Sequence, residues 1–437
     1  MEPGTIAFHH FGCKVNFAEA SALSREFKDK GWSLTDFHEK ADVYIISSCA
    51  VTSIAEKKCR AAIRQAHKLN PLSKVVVIGC FPELKPRELE SMEGVDLVLG
   101  HSDKFRLFHE LERITGSRPE HGEAETVYHG HDQFIPSFSF GDRTRSFLKI
   151  QDGCDYYCSY CTIPLARGKS RSDSIAHVLD SAMKIAANGV REIVLTGVNI
   201  GDFGKNNKET LLGLLHQLDK QKGVRRIRIS SIEPDLLNDE IITLVAASEK
   251  FLPHFHIPLQ SGSDKTLKAM HRKYGTSLYA NRIGKIRSMI PNACIAADVI
   301  VGFPGETDED FNDTYEFIKV LALSYVHVFT YSKRDNTLAS KSNDQVLEVT
   351  RKERSRLLHL LSAEKKEKFY CDNAGSAKEV LWESDNEDGF MHGFTENYIR
   401  VKTPFNPELV NNITTVILNN RDTHGIFIIN EFVNRHS

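Results

Sequence analysis

The sequence predicts an α/β chain in three parts. These are an N-terminal parallel α/β sheet domain (1–120), a central partial (β/α)6 barrel (140–369) and a small all-β barrel at the C-terminus (372–437). Three observations predict it. The first hundred residues alternate short apolar runs with helical patterns, six more such units follow Arg145, and after Ala374 only short alternating stretches remain. The length, 437 residues, suits three domains at a rough 150 residues each.

Composition narrows the class. Hydrophobic residues make up 41% and charged residues 26%, a globular rather than a disordered balance. The longest apolar run, 294–303, is strand-length and falls short of the ~18 residues a membrane span needs. The first residues lack the basic start and apolar stretch of a signal peptide, so a cytoplasmic chain with no membrane partner is expected. With 56 basic against 58 acidic residues the net charge is −2, which excludes a polycation that coats nucleic acid but permits a local basic patch. Nine cysteines, an odd number in a chain of this size, argue against a disulfide framework and leave core thiols, metal ligands or nucleophiles.

In chain order, strands are expected at 5–8, 43–47, 74–78 and 95–99, with helices such as 17–30 and 54–69 between them. A polar stretch at 121–136 reads as a linker. The barrel strands are expected at 147–150, 192–195, 226–231, 254–257, 297–301 and 326–330, and a charged helix follows at 349–368. Five short strands at 377–382, 389–395, 398–401, 413–418 and 425–429 suggest the closing β-barrel.

The strongest chemical signal is Cys154-Asp-Tyr-Tyr-Cys158-Ser-Tyr-Cys161, directly after the first barrel strand. Three thiolates in eight residues can hold one face of a cubane iron–sulfur cluster and leave the fourth iron open to a ligand. A structural zinc site calls for four ligands, usually in paired knuckles, and the loop offers no second knuckle and no histidine. Later loops at the same barrel edge carry small and polar residues: Gly197 and Asn199, Ser231 and Glu233, Gln260, and Asp298. Each loop alone reads as an ordinary strand-to-helix connection. Cys13, Cys49 and Cys80 follow the first three strands, so a parallel sheet would place them at one carboxyl edge, as metal ligands or as core thiols. Cys59, Cys294 and Cys371 have no partner at ligand spacing and read as packing residues.

The cysteine loop in its barrel context resembles the radical S-adenosylmethionine (SAM) superfamily. Phe11-Gly12-Cys13-Lys14-Val15-Asn16, Ser48-Cys49-Ala50-Val51-Thr52 and Gly79-Cys80 resemble the N-terminal domain of the radical SAM methylthiotransferases, which join it to a radical barrel and end in a TRAM β-barrel. The resemblance spans nearly the whole chain. It implies two [4Fe-4S] clusters, one on Cys154, Cys158 and Cys161 that binds SAM, and an auxiliary one on Cys13, Cys49 and Cys80. It further implies that Tyr160 packs on the adenine, that Gly197, Asn199, Ser231, Glu233, Gln260 and Asp298 line the cofactor, and that both open irons face one cavity. The clusters and SAM then carry the chemistry and no side chain is assigned as catalytic. Gly12-Cys13-Lys14-Val15-Asn16, Cys49-Ala50-Val51-Thr52 and Ile163-Pro164-Leu165-Ala166-Arg167-Gly168 resemble the branch that methylthiolates carbon 2 of N6-threonylcarbamoyladenosine at tRNA position 37. Other branches act on isopentenyladenosine or on a ribosomal-protein aspartate; a non-enzymatic iron–sulfur or zinc RNA-binding protein is the remaining reading. A tRNA, a flavodoxin-type electron donor and a monomeric state are the expected partners and assembly.

Two departures stand out. Family members carry Ser-Pro-Arg-Pro-Gly-Thr-Pro after the sixth strand, whereas Ser332-Lys333-Arg334-Asp335-Asn336-Thr337-Leu338 lacks the prolines, which predicts a less rigid loop. From Cys371 onward five Lys/Arg face ten Asp/Glu, net −5, which is unusual for an RNA-binding module and would suit a basic protein substrate. Basic residues concentrate instead at 57–68, 167–171, 222–228 and 351–368, and Arg167, Lys169 and Arg171 are candidate phosphate contacts.

Overall fold

The computed structural model describes residues 3–50, 52–114, 125–127, 133–141 and 143–433. The linker expected over 121–136 lies mostly outside the described residues. The chain divides into two compact units. The first comprises Met1–Phe140, Gln151–Tyr157 and Cys161–Arg171; the second comprises Gly141–Ile150, Cys158–Tyr160 and Ser172–Ser437.

The first unit is a parallel six-stranded sheet in the order Ser33–Thr35, Thr5–His10, Val43–Ser48, Lys74–Gly79, Leu97–Leu99, Glu125–Val127. Its central strands are apolar on both faces because both faces are covered. Tyr44, Ile46, Val75 and Val77 pack with Cys59 and Ile63 of the helix Ser53–Leu69. Their neighbours Val43, Ile45, Val76 and Ile78 pack with Leu23 and Phe27 of the helix Lys14–Asp29 on the opposite face. Successive strand side chains point to opposite sides, so one continuous apolar run feeds two cores. The helix Ser53–Leu69 starts where the Thr52 hydroxyl accepts a hydrogen bond from the Ala55 amide at 3.2 Å.

The second unit holds six parallel strands in chain order. Arg145–Lys149, Glu192–Thr196 and Arg226–Ile229 form one sheet, and His254–His256, Cys294–Val301 and Tyr325–Thr330 another. Parallel bridges Ile227↔Phe251 and Ser231↔His256 join them. This is the partial (β/α)6 barrel read from the sequence. A mixed sheet follows in the order Ile413–Ile417, Ala377–Trp382, Phe390–Thr395, Arg400–Pro404, Phe427–Ile428, Asn420–Arg421. It has six strands where the sequence suggested five; the extra one, Asn420–Arg421, is two polar residues and carries no alternating signal. Its core includes Cys294 from the barrel and Phe369 and Tyr370 from the long helix Glu348–Asn373.

The acidity of the C-terminal sheet has a structural reason. Arg145, Glu192 and Arg226 lie side by side at the strand starts, in register. Glu192 is 0% exposed and meets Arg228 Nε at 2.9 Å and Arg226 Nη1 at 3.9 Å. Burial alone would raise its carboxyl pKa; Arg228, Arg226 and Arg145 hold it below the usual range. The surplus guanidinium charge is met by the C-terminal sheet: Glu383 Oε1 lies 2.9 Å from Arg145, and the Glu379 carbonyl accepts from Arg226 at 3.0 Å. The rings of Phe394 and Tyr398 lie 4.7 Å under Arg145 and Arg228. Acids that made this segment look unsuited to RNA are used inside the unit: Glu383 on Arg145, Glu379 on Arg225 at 3.6 Å, Glu396 on Lys378 at 3.3 Å and Asp422 on Lys402 at 2.7 Å. Replacing Glu192 by alanine leaves buried arginines uncompensated and should cost about 3–5 kcal/mol in urea unfolding; a loss under 1 kcal/mol would contradict this account.

Candidate metal centres

At the carboxyl edge of the first sheet the chain brings three cysteine-bearing segments together. Cys13 caps the helix Lys14–Asp29 in extended conformation and is exposed; its thiol lies 3.7 Å from Asn16 Oδ1. Asn16 Nδ2 in turn donates to the Ser48 carbonyl at 3.1 Å, next to the buried Cys49. A Cβ on Gly12 would stand 3.1 Å from Cys49 Cβ, so these two segments touch. Gly79, at φ +108°, lies against Ser48: a Cβ there would meet the Ser48 carbonyl oxygen at 2.7 Å. Only glycine fits this turn, and the turn delivers the buried Cys80 into the helix Cys80–Leu84. Gly79→Ala should destabilise the protein by about 1–3 kcal/mol in urea unfolding, and an unchanged midpoint would contradict that placement.

Cys80 faces cations. Burial pushes its thiol up, while Arg167 and Lys104 pull it down and Cys13 raises it. Arg167 ends the helix Ile163–Arg167, which packs on the helix that begins at Cys80. Its guanidinium is 1% exposed, donates to Asp152 Oδ1 at 2.8 Å and Asn16 Oδ1, and pairs with Glu19 at 3.2 Å. The expected phosphate contact by Arg167 is thus corrected: carboxylates enclose the guanidinium and exclude a solvent anion. Arg171 likewise turns inward, to Asp152 at 3.3 Å and to the carbonyls of Gln133, Arg167 and Lys169, leaving Lys169 as the exposed cation of this stretch. Glu19, His101 and Asp152 bring ligand atoms within 4.8 Å of one another. Lys104 (2.6 Å from Glu19) and Arg167 already balance those carboxylates, and burial lowers the His101 pKa to about 3.

On the loop 154–161, backbone amides point at sulfur. Tyr156 N donates to Cys154 Sγ at 3.3 Å and Ile163 N to Cys161 Sγ at 3.4 Å. Gly153 (φ +68°) lets the loop pass against Lys169, whose carbonyl oxygen a Cβ would meet at 2.0 Å. Cys158 is buried; burial raises its thiol pKa and Arg272, whose Nη1 donates to Sγ at 3.1 Å, lowers it. Donors of this kind stabilise thiolate and tune iron–sulfur clusters, so the loop cysteines have the chemistry a cluster needs, while the sheet-edge cysteines converge beside the buried cations Arg167 and Lys104.

The other expected residues fall into groups. Tyr160 packs with Met270, Phe303, Tyr331 and Ala339, its ring 6.4 Å from Phe303. Glu233 pairs with Arg272 Nη2; burial pushes its carboxyl up to about 7, Arg272 opposes, and Asp235 and Asp298 add to the rise. Asp298 Oδ1 lies 2.8 Å from His256 Nε2, and His327 completes that trio on the neighbouring strand. Gln260, at φ +66°, is fixed by its amide bond to the Asp298 carbonyl at 2.8 Å. The Ser231 backbone bridges to His256. Gly197 and Asn199 follow the second barrel strand, and Asn199 turns its amide to Asp202 at 3.1 Å. Arg272, absent from the sequence reading, is the hub of Cys158, Glu233 and Tyr160; nothing in His271-Arg272-Lys273 marks it. The proline-poor loop forms a turn closed by Thr337 Oγ1 on the Arg334 carbonyl at 2.8 Å, with Asn336 at φ +64°. It reaches the cysteine loop through Ala339 N to Ser159 O at 2.8 Å. Burial pushes the Cys59 thiol up to about 12 and that of Cys294 to about 11; Cys371 is exposed beside Glu367 and Arg421.

The barrel and its cysteine loop define a radical SAM enzyme: residues 148–318 match the Radical SAM superfamily, and residues 5–100 match the uncharacterized protein family UPF0004. The fold resembles that of the radical S-adenosylmethionine methyltransferase TsrM from Kitasatospora setae, at TM-score 0.54 and 14% identity over 77% of each chain. The chain is 39% identical to the threonylcarbamoyladenosine tRNA methylthiotransferase MtaB of Bacillus subtilis (strain 168), over 94% of this chain and 93% of the relative. The MtaB of Aquifex aeolicus (strain VF5) is 36% identical over 91% and 96%. A tRNA-2-methylthio-N(6)-dimethylallyladenosine synthase of Pelotomaculum thermopropionicum is 30% identical over 93% of each. The chain belongs to the radical SAM methylthiotransferase family. It is an enzyme of the [4Fe-4S] and SAM class. Among the described residues no helix is long and apolar enough to cross a membrane.

Proposed function

We propose that this chain methylthiolates carbon 2 of N6-threonylcarbamoyladenosine at tRNA position 37, with one [4Fe-4S] cluster on Cys154, Cys158 and Cys161 and a second on Cys13, Cys49 and Cys80. The observation that carries the reading is the convergence of Cys13, Cys49 and Cys80 on one sheet edge, through Asn16, Gly12 and Gly79, in a chain that also has the radical loop. Relatives named for this substrate share 34–39% identity, against 30–34% for those named for dimethylallyladenosine.

When bound, the clusters and SAM supply the one-electron and sulfur-transfer chemistry that an unactivated C–H bond requires. The residues of the chain hold and orient. Arg272 stabilises the Cys158 thiolate and aims Glu233, while Asp298 and His256 add polar contacts along the barrel interior. Gln260, in its left-handed conformation, and Gly197 let a cofactor approach the backbone. Tyr160 presents its ring from an apolar cluster, suited to an adenine face. For tRNA, exposed Lys57, Lys58, Arg64 and Lys68 on the helix Ser53–Leu69 offer phosphate contacts. A flavodoxin-type reductant, a cytoplasmic location and a monomer complete the reading. The test is mass spectrometry of tRNA nucleosides from cells lacking the gene. Loss of methylthio-threonylcarbamoyladenosine supports the reading; unchanged levels overturn it.

A further inference from the structure

We propose that Arg167 is a positioning residue for the cluster on Cys13, Cys49 and Cys80, a buried cation on the helix packed against Cys80–Leu84 that sets the reduction potential of the cluster. The inference rests on the two-cluster reading above. Arg167 is linked to all three cysteine segments, directly or through Asn16. Its helix packs on the helix that Cys80 begins. Its guanidinium donates to Asn16 Oδ1, which also lies 3.7 Å from the Cys13 sulfur. Through Asn16 Nδ2, 3.1 Å from the Ser48 carbonyl, it reaches the residue before Cys49. A planar fork with five donors can serve these acceptors at once, which a lysine ammonium cannot.

The carboxylates around Arg167 do not consume its charge alone. Glu19 is also held by Lys104 Nζ at 2.6 Å, and Asp152 by Arg171 Nη2 at 3.3 Å. Arg167 comes from the helix Ile163–Arg167, which packs on Cys80–Leu84, with Ala166 in the same buried cluster as Ala50 and Cys80. The next residue, Gly168, accepts the Cys154 amide at 3.1 Å, so the segment that seats the radical cysteine loop also supplies the cation.

A cluster on three thiolates is anionic and gains one more negative charge on reduction. A buried cation nearby favours the reduced form, because Coulomb attraction is poorly screened there.

The test uses the full chain with Cys154, Cys158 and Cys161 changed to alanine, reconstituted anaerobically so that only the auxiliary cluster forms, and reads the midpoint by EPR-monitored redox titration. In Arg167→Gln, the ratio of reduced to oxidised cluster at the parent midpoint potential should fall by about tenfold or more, a downward shift of at least about 59 mV for a one-electron couple. Arg167→Lys should restore most of it. Should Arg167→Gln not fold, because Glu19 and Asp152 lose a cation, Arg167→Gln combined with Glu19→Gln takes its place and is read against Glu19→Gln alone, so that only the arginine charge differs. An unmoved midpoint in the glutamine variant, or equal losses in glutamine and lysine variants, overturns the inference alone. A parent that binds no cluster overturns the two-cluster reading, and this inference with it.

Discussion

Replacing Cys158 by alanine should abolish release of 5′-deoxyadenosine from SAM under reducing conditions, a fall of at least about a thousandfold, or ~4 kcal/mol. Iron per reconstituted chain should drop from about eight to about four. Three thiolates are the whole protein contribution on this loop, and Cys158 is buried, so no solvent ligand takes its place. The substitution also leaves Arg272 without its sulfur acceptor at 3.1 Å. Cys371→Ser is the matched control: that thiol is exposed and its partners are Glu367 and Arg421, so iron and turnover should be unchanged. Full 5′-deoxyadenosine release by Cys158→Ala would sink the assignment.

Replacing Cys80 by alanine should separate the two halves of the reaction. The methylthiolated nucleoside should disappear, again by about a thousandfold or more, while 5′-deoxyadenosine is still released and about four irons remain. The physical basis is that Cys80 is buried against Arg167 at an edge where the other two thiols, Cys13 and Cys49, cannot hold a cubane alone. Iron content that stays near eight, or a methylthiolated product from this variant, would contradict the ligand set. The two cysteine variants each keep about four irons but differ in 5′-deoxyadenosine release, which a shared folding defect would not produce.

The strands were legible because strands covered on both faces must be apolar throughout, as in Val43–Ser48 and Lys74–Gly79. Sheet edges were not: Ser33–Thr35 and Glu125–Val127 are three residues each, too short to show a period in the sequence. The cysteines were legible because loop position follows from strand order, and Cys13, Cys49 and Cys80 each begin the connection after a strand. Side-chain partners distant in sequence were not. Arg167 read as a phosphate contact since its neighbours are basic, yet its partner Glu19 lies 148 residues away. Arg272 sits 114 residues from Cys158, with no local pattern to mark it. The partner of Glu383 in the acidic C-terminal segment was hidden for the same reason, because Arg145 and Glu383 are 238 residues apart.

The most direct measurement is mass spectrometry of tRNA after incubation with the reconstituted full chain, SAM and a low-potential reductant. The tRNA would carry threonylcarbamoyladenosine, with a second sample carrying isopentenyladenosine. The account predicts replacement of the carbon 2 hydrogen by a methylthio group on threonylcarbamoyladenosine alone. Modification of isopentenyladenosine instead, or of neither nucleoside while 5′-deoxyadenosine is released, would contradict it.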